Sequence, residues 1–238
     1  MPEPSSFPDL SNLPGISNLL GALQHADSFF PSGSLSFSWG LETLHADQVI
    51  VTAPRLADFV EGQLRHRWAT HDVCALTAAF RADGQLDRIA AVDEIVEAMT
   101  LAPEWREGSK RAGASLLNVH AKLDTPGAAG YRERVQKRTA LGHMSVMQGM
   151  LWRAVGMTEE TCRAVSAHTL CTGLIGAALR LGMIGHLDAQ KVMLHVRPAL
   201  IDLLKLEPAD AEAIHAYTPQ AEIAAMRHEV QDSRLFAN

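Results

Sequence analysis

The chain has 238 residues, 47% of them apolar and 20% charged, enough to fill one helical core without disulfides or a structural metal. Aromatic residues amount to 5% and the net charge is −6. Those values argue against a base-stacking platform and a general phosphate-binding surface, so nucleic acid is not an expected partner.

Prolines 2, 4, 8 and 14 fall among Ser, Asp and Asn, and the first fifteen residues are read as a flexible tail. They lack the basic and apolar regions of a signal peptide. Thr52-Ala53-Pro54 opens a helix whose inner face is Leu56, Phe59, Val60 and Leu64. Ile89, Val92, Val96 and Met99 repeat that face, with Asp93, Glu94 and Glu97 expected in solvent. Thr158-Glu159-Glu160 caps a helix running to about Leu181, where Gly182 and Gly185 stop it. A further helix is expected from about Asp188, kinked or restarted at Pro198 and ended before Pro208. Period-two alternation is nearly absent. The fold class is therefore all-α, a single helical bundle over residues 16–225 between the N-terminal tail and a C-terminal segment, 226–238.

The 159–181 helix is poor in bulk, and glycine inside a helix costs about 0.5–1 kcal/mol relative to alanine. Gly173 and Gly176 therefore call for a reason. Close approach of another helix is the simpler one, and a second copy of the chain there would make a dimer seam; a ligand contact is the other. The longest apolar stretch, Leu170 to Gly185, is broken by Arg180 and falls short of the roughly 20 residues of a membrane span. Cys74, Cys162 and Cys171, odd in number and widely spaced, read as reduced thiols in the cytoplasm.

Catalytic devices are missing. There is no G-x-x-x-x-G-K-[ST] phosphate cradle, no G-x-G-x-x-G and no G-x-S-x-G, so neither intrinsic nucleotide hydrolysis nor a bound cofactor is expected. Cys162, His168 and Cys171 point in different directions around one helix, and His66 and His71 are five apart, off the i, i+4 spacing for a shared ion.

The most specific segment is Leu23 to Thr43, LQHADSFFPSGSLSFSWGLET. Asp27 and the five serines between 28 and 38 surround a Pro31-Ser32-Gly33-Ser34 turn, followed by a second amphipathic stretch ending at Glu42. These polar groups read either as caps and turn bonds or as a functional surface. The segment resembles the opening signature of the UreF family of urease accessory proteins, with Asp27, Ser28, Pro31, Gly33, Ser38, Gly40, Leu41 and Glu42 in register. Gly142-His143-Met144-Ser145-Val146 with Gly149 resembles the family's GHxPVxxG block. Ala177 to Gly182, with Gly185 and Gln190, resembles its A-A-x-R-L-G-x-x-G block and places Arg180 in it. MRHEVQDSRLFAN, residues 226–238, resembles its terminal RHE…SRLFxS, which brings in Arg227, His228, Arg234, Leu235 and Phe236. Phe37, Leu35, Ser145 and Asn238 depart from the pattern, standing for His, Phe, Pro and Ser.

The resemblance implies an all-α, non-catalytic, homodimeric factor for urease maturation. Such a protein binds UreD, called UreH in some species, through its C-terminal tail and recruits the GTPase UreG, so that nickel reaches the urease apoenzyme. The residues that fall on the four blocks are the expected partner-binding positions, with His143 near a dimer or UreG-facing surface and residues 227–236 ordering on UreD. A helical enzyme with an acid–base site near Asp27, Glu42 and His143 is the alternative.

Overall fold

Thr52 and Pro54 open a helix where the sequence places one, and the residues around it form helices almost without interruption. The computed structural model describes residues 14–31, 37–229 and 235–236. No β-strand occurs among them. The elements are α1 (Pro14–Ala26), α2 (Leu41–Ala46), α3 (Ala53–Gln63), α4 (Val73–Arg81), α5 (Leu86–Met99), α6 (Pro103–Lys122), α7 (Ala128–Gln136), α8 (Met144–Ala154), α9 (Glu159–Arg180), α10 (His186–Leu204) and α11 (Pro219–His228). A π-helical segment, Leu64–Asp72, joins α3 to α4 without a break, and a 3₁₀ turn lies at Ala211–Ala213.

The expected inner faces are largely inside. Leu56, Val60 and Leu64 are fully buried, as are Ile89 and Val96, whereas Met99 at the end of α5 is exposed. Thr158 Oγ1 accepts the Thr161 N–H, capping α9 as anticipated. α9 is long and apolar enough to cross a bilayer, but 61% of its apolar window is buried inside the bundle. α10 begins two residues before Asp188 and continues through Pro198. Pro198 lies on the exposed side, where water can serve the carbonyl that proline leaves without a donor. The stretch expected to end at Glu42 instead begins there: α1 stops at Ala26 and α2 starts at Leu41. α1 already begins at Pro14, and residues 1–13 of the expected tail lie outside the described residues.

The centre of the bundle is α8, whose residues Ser145 to Trp152 are all buried. It packs against α4 and α6. Contact with α4 is so close that a Cβ on Gly149 would stand 2.1 Å from the Leu76 carbonyl oxygen. Gly113 of α6 likewise meets the Gly142 carbonyl at 1.9 Å from a hypothetical Cβ. In contrast, no described atom lies within 4 Å of a Cβ built on Gly173 or Gly176. The close helix approach anticipated at α9 within the chain is thus absent there and is made by α8.

Candidate partner-docking site

Gly40 adopts φ +83°, a left-handed turn that starts α2, and a Cβ there would meet the Ala221 carbonyl oxygen at 2.6 Å. This contact seats α11 on α2 and brings Glu42 to His228. The His228 side chain is fully buried, with Nε2 2.9 Å from Glu42 Oε2 and Nδ1 3.0 Å from Glu104 Oε1. Glu104 stands in the first turn of α6, behind Pro103, where a carboxylate also suits the helix dipole. Glu42 in turn accepts the backbone N–H groups of Leu235 at 2.7 Å and Phe236 at 3.1 Å. Phe236 is buried, and the Arg180 guanidinium lies 4.5 Å from its ring centroid.

Arg227 makes a two-pronged ion pair with Asp47, just after α2, and this holds the Asp47 carboxyl below its usual range. Leu235, whose N–H bonds Glu42, is exposed, and Tyr217, Ile223 and Met226 are exposed elsewhere just before and along α11. Leu235 and Phe236 therefore lie on the body of the same chain, held by Glu42, with the Leu235 side chain facing outward. Arg234 lies outside the described residues.

The rest of the opening segment is built differently. Asp27 and Ser28 are exposed, and Asp27 Oδ1 accepts the Phe29 N–H at 2.8 Å, an Asx turn. The exposed Pro31 offers its carbonyl to Ser115 Oγ at 3.0 Å, and Ser38 is buried with its carbonyl accepting the Leu41 N–H. Gly33 lies outside the described residues. Just before Asp27, His25 stacks on His120 with the two Nε2 atoms 3.3 Å apart. His25 Nδ1 donates to the Gly21 carbonyl, so its Nε2 is the acceptor of the pair. His120 Nε2–H then donates, and Thr125 Oγ1–H serves His120 Nδ1 at 3.0 Å. Burial pushes both imidazoles down, His120 to about 4 with His25 adding to the effect.

His143 belongs to a separate centre. Asp93, expected on the solvent face of α5, is fully buried. The loop before α8 and Tyr131 of α7 cover that side of the helix. Asp93 accepts the N–H groups of Leu141 at 3.0 Å, Gly142 at 2.5 Å and His143 at 2.8 Å, and the Tyr131 hydroxyl at 2.8 Å. Burial, and after it the neighbouring Asp93 carboxylate, raise the Tyr131 hydroxyl well above its usual range. The buried His143 ring meets Glu97 at 2.8 Å through Nε2, and burial lowers its pKa despite the acids nearby. Asp27, Glu42 and His143 thus have separate partners.

Metal-ligating residues do not converge either: among the described residues no group of three or more His, Cys, Asp or Glu is placed to hold an ion. His66 is exposed, while His71 is buried against Asp72 and Thr100. Burial raises the Cys162 and Cys171 thiols to about 12, which leaves them unreactive. Sequence reasoning missed Glu104, the buried role of Asp93 and the His25–His120 pair. First-turn position after proline was the available signal for Glu104; for the others the partners lie too far along the chain for a local signal.

Three of the four signature blocks meet at one place: Glu42 from the first, Arg180 from the third, and His228, Leu235 and Phe236 from the fourth. The sequence model of the UreF family matches residues 50–197. The chain belongs to the UreF family. It is 30% identical over 234 residues to "Urease accessory protein UreF" of Trichodesmium erythraeum, an alignment covering 94% of this chain and 98% of that protein. It is 31% identical to the protein of the same description from Kocuria rhizophila, covering 94% and 98% respectively. A Haemophilus influenzae relative is 30% identical over 223 residues, 91% of this chain and 94% of its own length.

Proposed function

We propose that this UreF-family chain is a non-catalytic scaffold for urease maturation in the cytoplasm. In this reading it acts as a homodimer, binds UreD (UreH) through its C-terminal face, recruits the GTPase UreG and so supports nickel delivery to apo-urease. The observation that carries the reading is the seat around Glu42, where residues from three signature blocks hold Leu235 and Phe236 and leave the Leu235 side chain exposed. Apolar and aromatic groups of this kind dominate binding energy once desolvated. The open face at Gly173 and Gly176 supports the homodimer, since a second helix can approach there. Capture of purified UreD by the full chain and by a chain lacking residues 227–238 tests the docking step. Loss of capture on truncation is expected; undiminished capture overturns it.

A further inference from the structure

Residues 214–218, which lead into α11, meet the end of α3 and leave a cavity of about 280 Å³ there, close to the roughly 300 Å³ at which small-ligand sites begin. Phe59, Gly62 and Gln63 of α3 form one wall, Val49 and Ile50 a second, and Tyr217 and Thr218 a third. No described atom lies within 4 Å of a Cβ built on Gly62, so the helix surface there is open.

Gln63 is the unusual member. The residue is 3% exposed, yet its Oε1 is buried without a hydrogen-bond partner, and its Nε2 donates to no other described residue. A buried amide left unpaired is costly, because it has given up water and gained no bond in return. The last torsion of a glutamine is soft, so the amide can turn either end towards the cavity. One chemical group satisfies both ends at once. In an extended chain the N–H and C=O of a single residue point to the same side, so the N–H can meet Oε1 while the C=O meets Nε2.

The rim carries one charge of each sign, Arg55 and Asp58, both exposed, together with His66 and the Tyr217 hydroxyl. That balance favours neither an anion nor a cation. Val49, Ile50 and Phe59 suit an apolar side chain beside the amide. The chain's own residues show that this face accepts extended backbone. Tyr217 N–H bonds the His66 carbonyl at 2.9 Å, and His215 N–H bonds the Thr70 carbonyl at 3.0 Å, alternate residues on carbonyls of the π-helical segment.

We infer that this cavity receives an extended, uncharged segment of another protein, one residue of which pairs its N–H and C=O with the Gln63 amide and sets an apolar side chain against Val49, Ile50 and Phe59. The inference does not depend on the urease reading. It is tested by nuclear magnetic resonance on the isotope-labelled full chain with two probes: acetyl-leucine methylamide, and the analogue with an ester oxygen in place of the leucine N–H. Saturable shift changes at residues 59–66 and 217–221 are expected with the amide. The ester should bind about tenfold more weakly, since it leaves Oε1 without a donor. Gln63→Met keeps the side-chain length and removes both polar ends, so the two probes should then bind alike. Should that variant fail to fold, the comparison of amide with ester on the wild-type chain still decides. No saturable binding of the amide at these residues, equal wild-type affinity for the two probes, or a preference for the amide retained in folded Gln63→Met overturns the assignment.

Discussion

Replacing Asp93 by Asn removes one charge and almost no volume, and the geometry gives its cost. Four donors meet this carboxylate: three successive backbone N–H groups, from Leu141 to His143, and the Tyr131 hydroxyl. Hydrogen bonds to a charged acceptor are worth about 1.5–3 kcal/mol, roughly twice a neutral bond. An Asn oxygen in the place of Oδ2 keeps the bonds to Tyr131, Leu141 and Gly142 in weakened form. Its NH₂ group then faces the His143 N–H, a donor against a donor, and leaves a buried group unsatisfied. One lost bond plus three weakened ones, offset in part by the relief of a buried charge, comes to about 3–4 kcal/mol. Urea denaturation should show the midpoint falling at unchanged slope. A loss below about 1 kcal/mol would refute the claim that Asp93 organises the entry to α8.

Gly149→Ala drives a Cβ to within 2.1 Å of the Leu76 carbonyl oxygen, and since neither backbone can yield, a loss of about 3 kcal/mol is expected by the same assay. Acidification should destabilise the fold through His120. Its pKa is about 4 in the folded chain against 6.5 ordinarily, so between those values the unfolded chain binds the extra proton. Stability is fully present above pH 6.5 and falls towards pH 4 by up to about 3 kcal/mol; His120→Gln should flatten that part of the profile of stability against pH. Glu42→Gln leaves the Leu235 and Phe236 N–H groups a weaker acceptor and His228 a neutral partner. Faster hydrogen exchange at those two amides is the expected readout, and unchanged exchange would contradict the seat.

Helices were legible wherever periodicity and end signals agreed, as at Thr52-Pro54 and Thr158-Glu159. The face of a helix is a weaker inference when a third element covers its polar side. Asp93 follows Val92 and precedes two further acidic or apolar neighbours in an ordinary amphipathic pattern. Only Tyr131 and the loop at 141–143, roughly forty to fifty residues on, make it a buried acceptor. Small residues are ambiguous in the same way: glycine marks close approach at Gly149 and open space at Gly173, and nothing within each helix distinguishes them. The π-helical segment has no signature in the periodicity, and with it the burial of Arg67 and His71 was illegible. At the candidate site, Glu42, Arg180 and His228 were found through the signature blocks; Glu104 closes the arrangement from a helix those blocks do not touch.

We propose that the chain acts by presenting helical surface to other proteins, not by turnover. Urease activity in cells lacking this gene but still making the urease subunits and UreD and UreG tests it most directly. Complementation with the wild-type chain should restore activity, and the chain lacking residues 227–238 should not. Full urease activity without the gene, or restoration by the truncated chain as complete as by the wild type, would contradict the account.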